Sequence, residues 1–227
     1  MTGLGLPQRG PGKRGGMDKR EQLVRRLLKT AGTTYAAEAG IKIDDKPMSL
    51  FQLLVLCMLA SKPIDAAIAT RAAHELFKAG LRTPKAVLAS DRQTMIDAFG
   101  RAHYVRYDES SATRLTDMAE RVRDEYSGDL RAIAGESRRD VTSAKRILKK
   151  FKGIGDTGAD IYLREVQDVW TWVRPYFDDR ATRTAKKLGL PAEPKKLESL
   201  APKANARLAA ALVRVSLDDD LRRRVTS

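Results

Sequence analysis

From residue 18 onward, apolar positions recur at intervals of three and four almost without interruption. Leu23, Val24, Leu27 and Leu28 make the first such stripe, the spacing that lines up side chains on one face of an α-helix. The run from Leu50 to Ala60 is apolar at every position but Gln52, with Pro47 and Ser49 ahead of it and Pro63 behind. That pattern predicts a helix buried on all sides. Ile64, Ile68, Ala72 and Leu76 lead to Gly80 as a C-cap, and Thr83-Pro84 reads as a cap followed by a first-turn proline. Asp91 opens a helix bearing Met95, Ile96 and Phe99 that Gly100 is expected to stop. Leu115, Met118, Ala119, Val122 and Tyr126 mark a longer helix ended by Gly128, and Val141, Ala144, Ile147, Leu148 and Phe151 mark one more. No segment alternates with period two and no solenoid-length repeat occurs, so the expected fold class is all-α.

Charge narrows the partners. Lys and Arg number 43 against 29 Asp and Glu, a net +14, the balance of a protein that meets a polyanion. Hydrophobic residues form 42% of the chain, enough to fold most of it. Residues 1–16 hold six glycines, two prolines and three basic side chains, and residues 1–17 read as a flexible basic tail.

The one cysteine, Cys57, lies in the apolar run. It excludes an intrachain disulfide or a four-cysteine cluster and reads as a small buried hydrophobe. His74 and His103 have no Cys or His at ligand spacing, so no metal site is expected. The longest apolar run falls short of the roughly 20 residues a membrane span needs, and no apolar signal core is present. The expected setting is the reducing cytoplasm, at the nucleoid if the source is bacterial.

Three glycines fall within six residues in FKGIGDTGADIYLRE, residues 151–165. A strand-linked phosphate loop would need a buried strand before them and, in one version, a Gly-Lys-Ser/Thr ending. The preceding SAKRILKKFK is helical in period and basic on its other face, and the following ADIYLREV is helical too. Gly153-Ile154-Gly155 is therefore a tight turn between two helices, with Asp156 the expected N-cap and both glycines expected at positive φ. Such a turn is either a plain αα-hairpin or a backbone anchor for an anion at a helix N-terminus. Lys149, Lys150 and Lys152, just ahead of it, favour the anion.

These residues resemble the L-P-G-V-G-x-x-T-A hairpin of the helix–hairpin–helix DNA glycosylases, the endonuclease III superfamily. Residues 177–190, FDDRATRTAKKLGL, are similar to the segment V-D-T-H-V-x-R-V-x-x-R-L-G-L, in which the family keeps its catalytic aspartate. The match falls on Asp178, with Asp179 as the register alternative that the spacing to Gly189 disfavours. Leu54 to Asp65, LVLCMLASKPID, resembles the family's L-L-S-x-Q-x-x-D helix and DNA-probing loop, with Lys62 where glutamine is common. The resemblance spans about residues 47–217.

It implies a two-lobed helical bundle: a central bundle at 47–171 with the hairpin at 141–168, and a second lobe built from 18–46 and 172–227. It implies double-stranded DNA as partner and excision of an abnormal base flipped from the duplex, with Asp178 stabilising positive charge at the sugar. Asp178 also reads as an N-cap, and the two roles are compatible. The hairpin residues Gly153, Gly155, Thr157 and Gly158, with Lys152, Lys62, Arg180 and Arg183, are the expected DNA contacts. Tyr104 and Tyr107, beside His103 in GRAHYVRY, and Trp170 and Trp172 are the expected pocket candidates, the tryptophans reading more readily as core between the lobes. Bifunctional members carry a Schiff-base lysine where this chain has Thr157, so a monofunctional enzyme is expected, unless Lys149, Lys150 or Lys152 substitutes. With no cluster cysteines, the C-terminal segment must close its lobe through Leu208, Leu212, Val215 and Leu217. No organic cofactor or iron–sulfur cluster is expected, though family hairpins can hold a monovalent cation through their carbonyls. Nothing calls for more than a monomer. A non-catalytic DNA-binding protein is the alternative.

Overall fold

The computed structural model describes residues 18–227; the tail expected at 1–17 lies outside the described residues. Every described element is helical, so the fold is all-α as the periodicity predicts. In chain order the α-helices are α1 (Lys19–Ala31), α2 (Tyr35–Glu38), α3 (Pro47–Ala60), α4 (Ala66–Lys78), α5 (Pro84–Ala89), α6 (Arg92–Arg101), α7 (Asp108–Tyr126) and α8 (Ala132–Glu136). They continue with α9 (Val141–Leu148), α10 (Asp156–Val166), α11 (Asp179–Lys187), α12 (Pro194–Leu200), α13 (Asn205–Leu217) and α14 (Asp219–Thr226), with a 3-10 turn at Thr171–Val173.

The starts follow the expected chemistry. Thr83 accepts the Ala86 N–H at 3.1 Å ahead of Pro84, and Asp91 accepts that of Thr94 at 2.7 Å, each cap contributing on the order of 1 kcal/mol. The ends are less regular. Gly100 sits inside the last turn of α6, which runs to Arg101; one helical glycine costs only about 1 kcal/mol there, and the packed Met95 and Phe99 outweigh it.

Two apolar cores form. The larger surrounds α3, whose residues Leu53 to Leu59 are all sealed from solvent, with α2, α4, α7 and α10 packed against it and α6 and α9 adding side chains to the same core. The smaller centres on α13, against which α1, α11 and α14 pack; its run of buried alanines at 209–211 lets those helices approach closely. Arg207 of α13 donates to the Leu28 and Gly32 carbonyls and so closes the C-terminus of α1.

The seam lies elsewhere than the sequence boundaries at 46 and 171. Tyr35, Ala36, Ala39 and Ile41 belong to the larger core, as does Val173, while Phe177 opens the smaller. The reason is Glu165: its buried carboxylate accepts the Tyr35 and Ala36 N–H groups at 3.1 and 3.0 Å, tying α2 to α10 of the first lobe. Leu217 likewise stays out of the second core, 59% exposed, because α13 ends there and Leu221 and Val225 of α14 complete the packing in its place.

Candidate functional site

The hairpin comprises α9, the turn at 149–155 and α10. Gly153 has φ +91, and a Cβ there would stand 3.0 Å from both Met58 Cγ and Arg114 Cδ, so conformation and space both require glycine. Gly155 differs from the expectation: its φ is −96 in extended backbone, and it serves as the N-cap of α10, with its carbonyl accepting the Ala159 N–H at 3.0 Å. Asp156 is thus the first helical residue rather than the cap, free to pair with Lys149 at 2.8 Å. Gly158 presses α10 against the end of α3, where a Cβ would meet Ser61 Oγ at 2.4 Å. The open first turn of α10 borders a groove of about 490 Å³ lined by Ser61, Lys62, Arg114 and residues 153–157.

Beside it, between the lobes, lies a larger cleft of about 1130 Å³. Thr157 and Lys62 line both spaces, so the hairpin and the loop after α3 form the wall between them. Asp178 lines the cleft too, only 9% exposed. Its Oδ1 caps α11 by accepting the Ala181 N–H at 2.9 Å, and its Oδ2 accepts from Arg164 Nη1 at 2.5 Å. Arg180, in the first turn of α11, and Arg183, a turn further on, line the same cleft from exposed positions, as does Asp179.

Lys62 lies 5.5 Å from the Tyr107 ring centroid, with Arg106 5.3 Å from the same ring. Tyr107 is thereby brought beside the loop after α3. Tyr104 is not exposed to the cleft: it is fully buried, its hydroxyl 3.3 Å from the Leu59 carbonyl. Trp170 is likewise core, stacked on Trp172 at 5.3 Å and donating its indole N–H to Asp45 at 3.0 Å. Neither tryptophan lines either space. Lys152 pairs with Asp117 at 3.0 Å and Lys150 with Glu136 at 3.7 Å, both outside the cleft.

Three residues that periodicity hid, Arg164, Arg214 and Tyr35, line the cleft, and a fourth, Glu165, is buried behind them. Arg164 is 2% exposed, its Nε has no hydrogen-bond partner, and its guanidinium lies 5.8 Å from the Tyr35 ring. Arg214 covers the same ring at 4.9 Å and pairs with Glu38 at 2.6 Å. Burial pushes the Tyr35 hydroxyl up despite the two cations beside it. Burial also raises the Glu165 carboxyl, with Arg164 and the α2 amides pulling it back. The signal in the sequence was a charged pair, Arg164-Glu165, on the face that Ile161 and Tyr162 mark as buried, since charges are almost never sealed without partners.

The cleft lining carries eight carboxylates against five cations, although the chain is strongly basic. Such a lining favours cationic groups and disfavours phosphate. Among the described residues no group of His, Cys, Asp and Glu is arranged to hold a metal ion. The Phe151 and Gly155 carbonyls of the hairpin already accept the Ile154 and Ala159 N–H groups. Among the described residues no helix is long and apolar enough to cross a membrane.

No family model and no curated protein matches the sequence. Among solved structures, the chain is similar to a trapped endonuclease III–DNA covalent intermediate in an estranged-adenine complex, with 20% identity over 86% of this chain and 85% of that one and a TM-score of 0.45. It is similar also to a non-covalent endonuclease III–DNA complex, with 19% identity over 86% and 85% of the two chains and a TM-score of 0.46.

Proposed function

We propose that the protein is a DNA N-glycosylase that removes an abnormal base from duplex DNA by hydrolysis. The observation that carries this reading is the placement of Asp178: a carboxylate fixed by α11 and Arg164 in the wall of an acid-rich cleft whose rim is the hairpin. The motif resemblance of residues 151–165 and 177–190 supports it independently.

In the reaction, the C1′–N bond breaks with its electron pair leaving on the base, and the sugar develops oxocarbenium character. The fixed negative charge of Asp178 stabilises that cation without reorganising, because both of its oxygens are already held. Water then adds its oxygen to C1′ and a proton passes to the departing base, leaving an abasic site. Exposed Asp179 is the nearest unpaired carboxylate along the chain for receiving a proton from that water. The acidic lining keeps phosphates out of the cleft, so the backbone rides on the hairpin amides at the first turn of α10. With Thr157 at the hairpin, no amine stands there for a Schiff base. Lys62 is the one lysine lining the cleft among the described residues.

A panel of duplexes bearing oxidised, deaminated, alkylated or mismatched bases, with and without hot alkali, tests the reading. Strand breaks on one lesion class only after alkali are expected. Asp178→Asn should reduce turnover at least a hundredfold with duplex binding retained, and circular dichroism checks that it folds. Borohydride should trap no protein on DNA; trapping that Lys62→Ala abolishes would instead establish a lyase.

A second reading, a DNA-binding protein without chemistry, is favoured by one feature: Oδ1 and Oδ2 of Asp178 are both engaged by the protein itself. No break on any lesion, with duplex binding intact, would decide for it.

A further inference from the structure

The positive charge of this protein is not spread over both lobes. Residues 35–176, which contain the hairpin, hold twenty-three basic and twenty acidic side chains, whereas 18–34 and 177–227 hold seventeen and nine. At the hairpin each lysine has an acidic neighbour: Lys145 with Asp160 at 2.5 Å, Lys149 with Asp156, Lys150 with Glu136 and Lys152 with Asp117. On α11 the opposite holds. Arg180, Arg183 and Lys187 are all exposed, recur at helical spacing on one face, and make no ion pair or hydrogen bond through their side chains among the described residues. The buried face of the same helix is Ala181, Thr184 and Ala185, so the cations are held outward by packing rather than by partners.

Resting on the reading of duplex DNA as partner, we propose that α11 is a phosphate rail and that it, not the hairpin, carries the salt-dependent part of binding. Arg180 and Arg183 begin at the cleft and Lys187 follows. At 1.5 Å per residue the stripe is about 10 Å long, the axial length of about three phosphates of one strand. The hairpin, its lysines internally neutralised, contributes amide N–H contacts that displace few counterions. The acidic cleft lies between the two, so the strand passes over it with the phosphates on either side held and only the target nucleotide turned inward.

The test is the slope of log K against log salt for an undamaged duplex, measured on the full chain. Each phosphate contact removed lowers the slope by about 0.9. Arg180→Ala/Arg183→Ala/Lys187→Ala should lower its magnitude by about 2 to 3, and Lys187→Ala alone, outside the cleft, by about 1. A hairpin variant neutralised in pairs, Lys149→Met/Asp156→Asn with Lys152→Met/Asp117→Asn, should change it by less than about 1. If the hairpin variant loses the larger share, or the α11 variants leave the slope untouched, the rail is wrong while duplex binding stands. A wild-type protein without salt-sensitive duplex binding would sink the functional reading itself.

Discussion

Arg164 Nη1 lies 2.5 Å from Asp178 Oδ2, and both side chains are almost wholly sealed, at 3% and 7% exposure. One belongs to α10 of the first lobe and the other to the cap of α11 in the second, so a single buried ion pair crosses the seam. Breaking such a pair from one side strands a charge and costs about 3–5 kcal/mol, whereas removing both partners costs much less. Arg164→Met should therefore lower the urea-unfolding free energy by about 3 kcal/mol or more, and Arg164→Met/Asp178→Asn should recover part of it. A single-variant loss under about 1 kcal/mol would show that water reaches the carboxylate and that the pair behaves as a surface one.

The three hairpin glycines should separate cleanly. Gly155→Ala meets nothing within 4 Å and keeps an ordinary φ, so its cost should stay within about 1 kcal/mol, mostly from the weaker N-cap. Gly153→Ala combines φ +91 with contacts at 3.0 Å and should cost about 2 kcal/mol or more. Gly158→Ala collides with Ser61 Oγ, and Ser61→Ala placed alongside it should restore part of the loss. Thermal unfolding of the four proteins checks the order; equal effects at 153 and 155 would contradict the turn geometry.

Five of the six tyrosines have hydroxyls pushed above their ordinary value, chiefly by burial: Tyr35, Tyr104, Tyr126 to about 12, Tyr162 well above, and Tyr176 with the further help of its bond to Asp160. The folded state holds these protons more tightly than the unfolded one. Their contribution to stability is thus complete below pH about 10 and is lost progressively as pH rises above it. Absorbance at 295 nm should lag a normal tyrosine titration and then rise together with unfolding. A smooth rise centred near pH 10, with the helical signal intact, would mean that these hydroxyls are open to solvent.

Where side chains faced one way along a helix, the sequence was a good guide. The stripes at 64–76 and 115–126 became α4 and α7, the unbroken apolar run at 50–60 became the all-round buried α3, and Asp178 capped α11 as its composition suggested. It was a poor guide where a residue's meaning depends on a distant partner. Nothing local marks Glu165 as the cap of a helix 130 positions away, or Tyr35 as the ring between two guanidiniums from α10 and α13. Tyr104 and Trp170 show the converse. The family resemblance suggested a pocket, with core as the other reading of the tryptophan, yet each hydrogen-bonds its polar end inside the first core, which lets a large ring be buried at little cost.

The 11 residues of α10 make a rod about 16 Å long. Its first turn is the open end of the hairpin, its middle faces the cleft through Asp160 and Ile161, and its last turn carries Arg164 and Glu165. A load applied at the hairpin is delivered through one stiff body to the residue that grips the acid across the seam. The hairpin and the Asp178 side of the cleft are therefore not separable modules in this chain: a substitution on the buried side of this one helix displaces both at once.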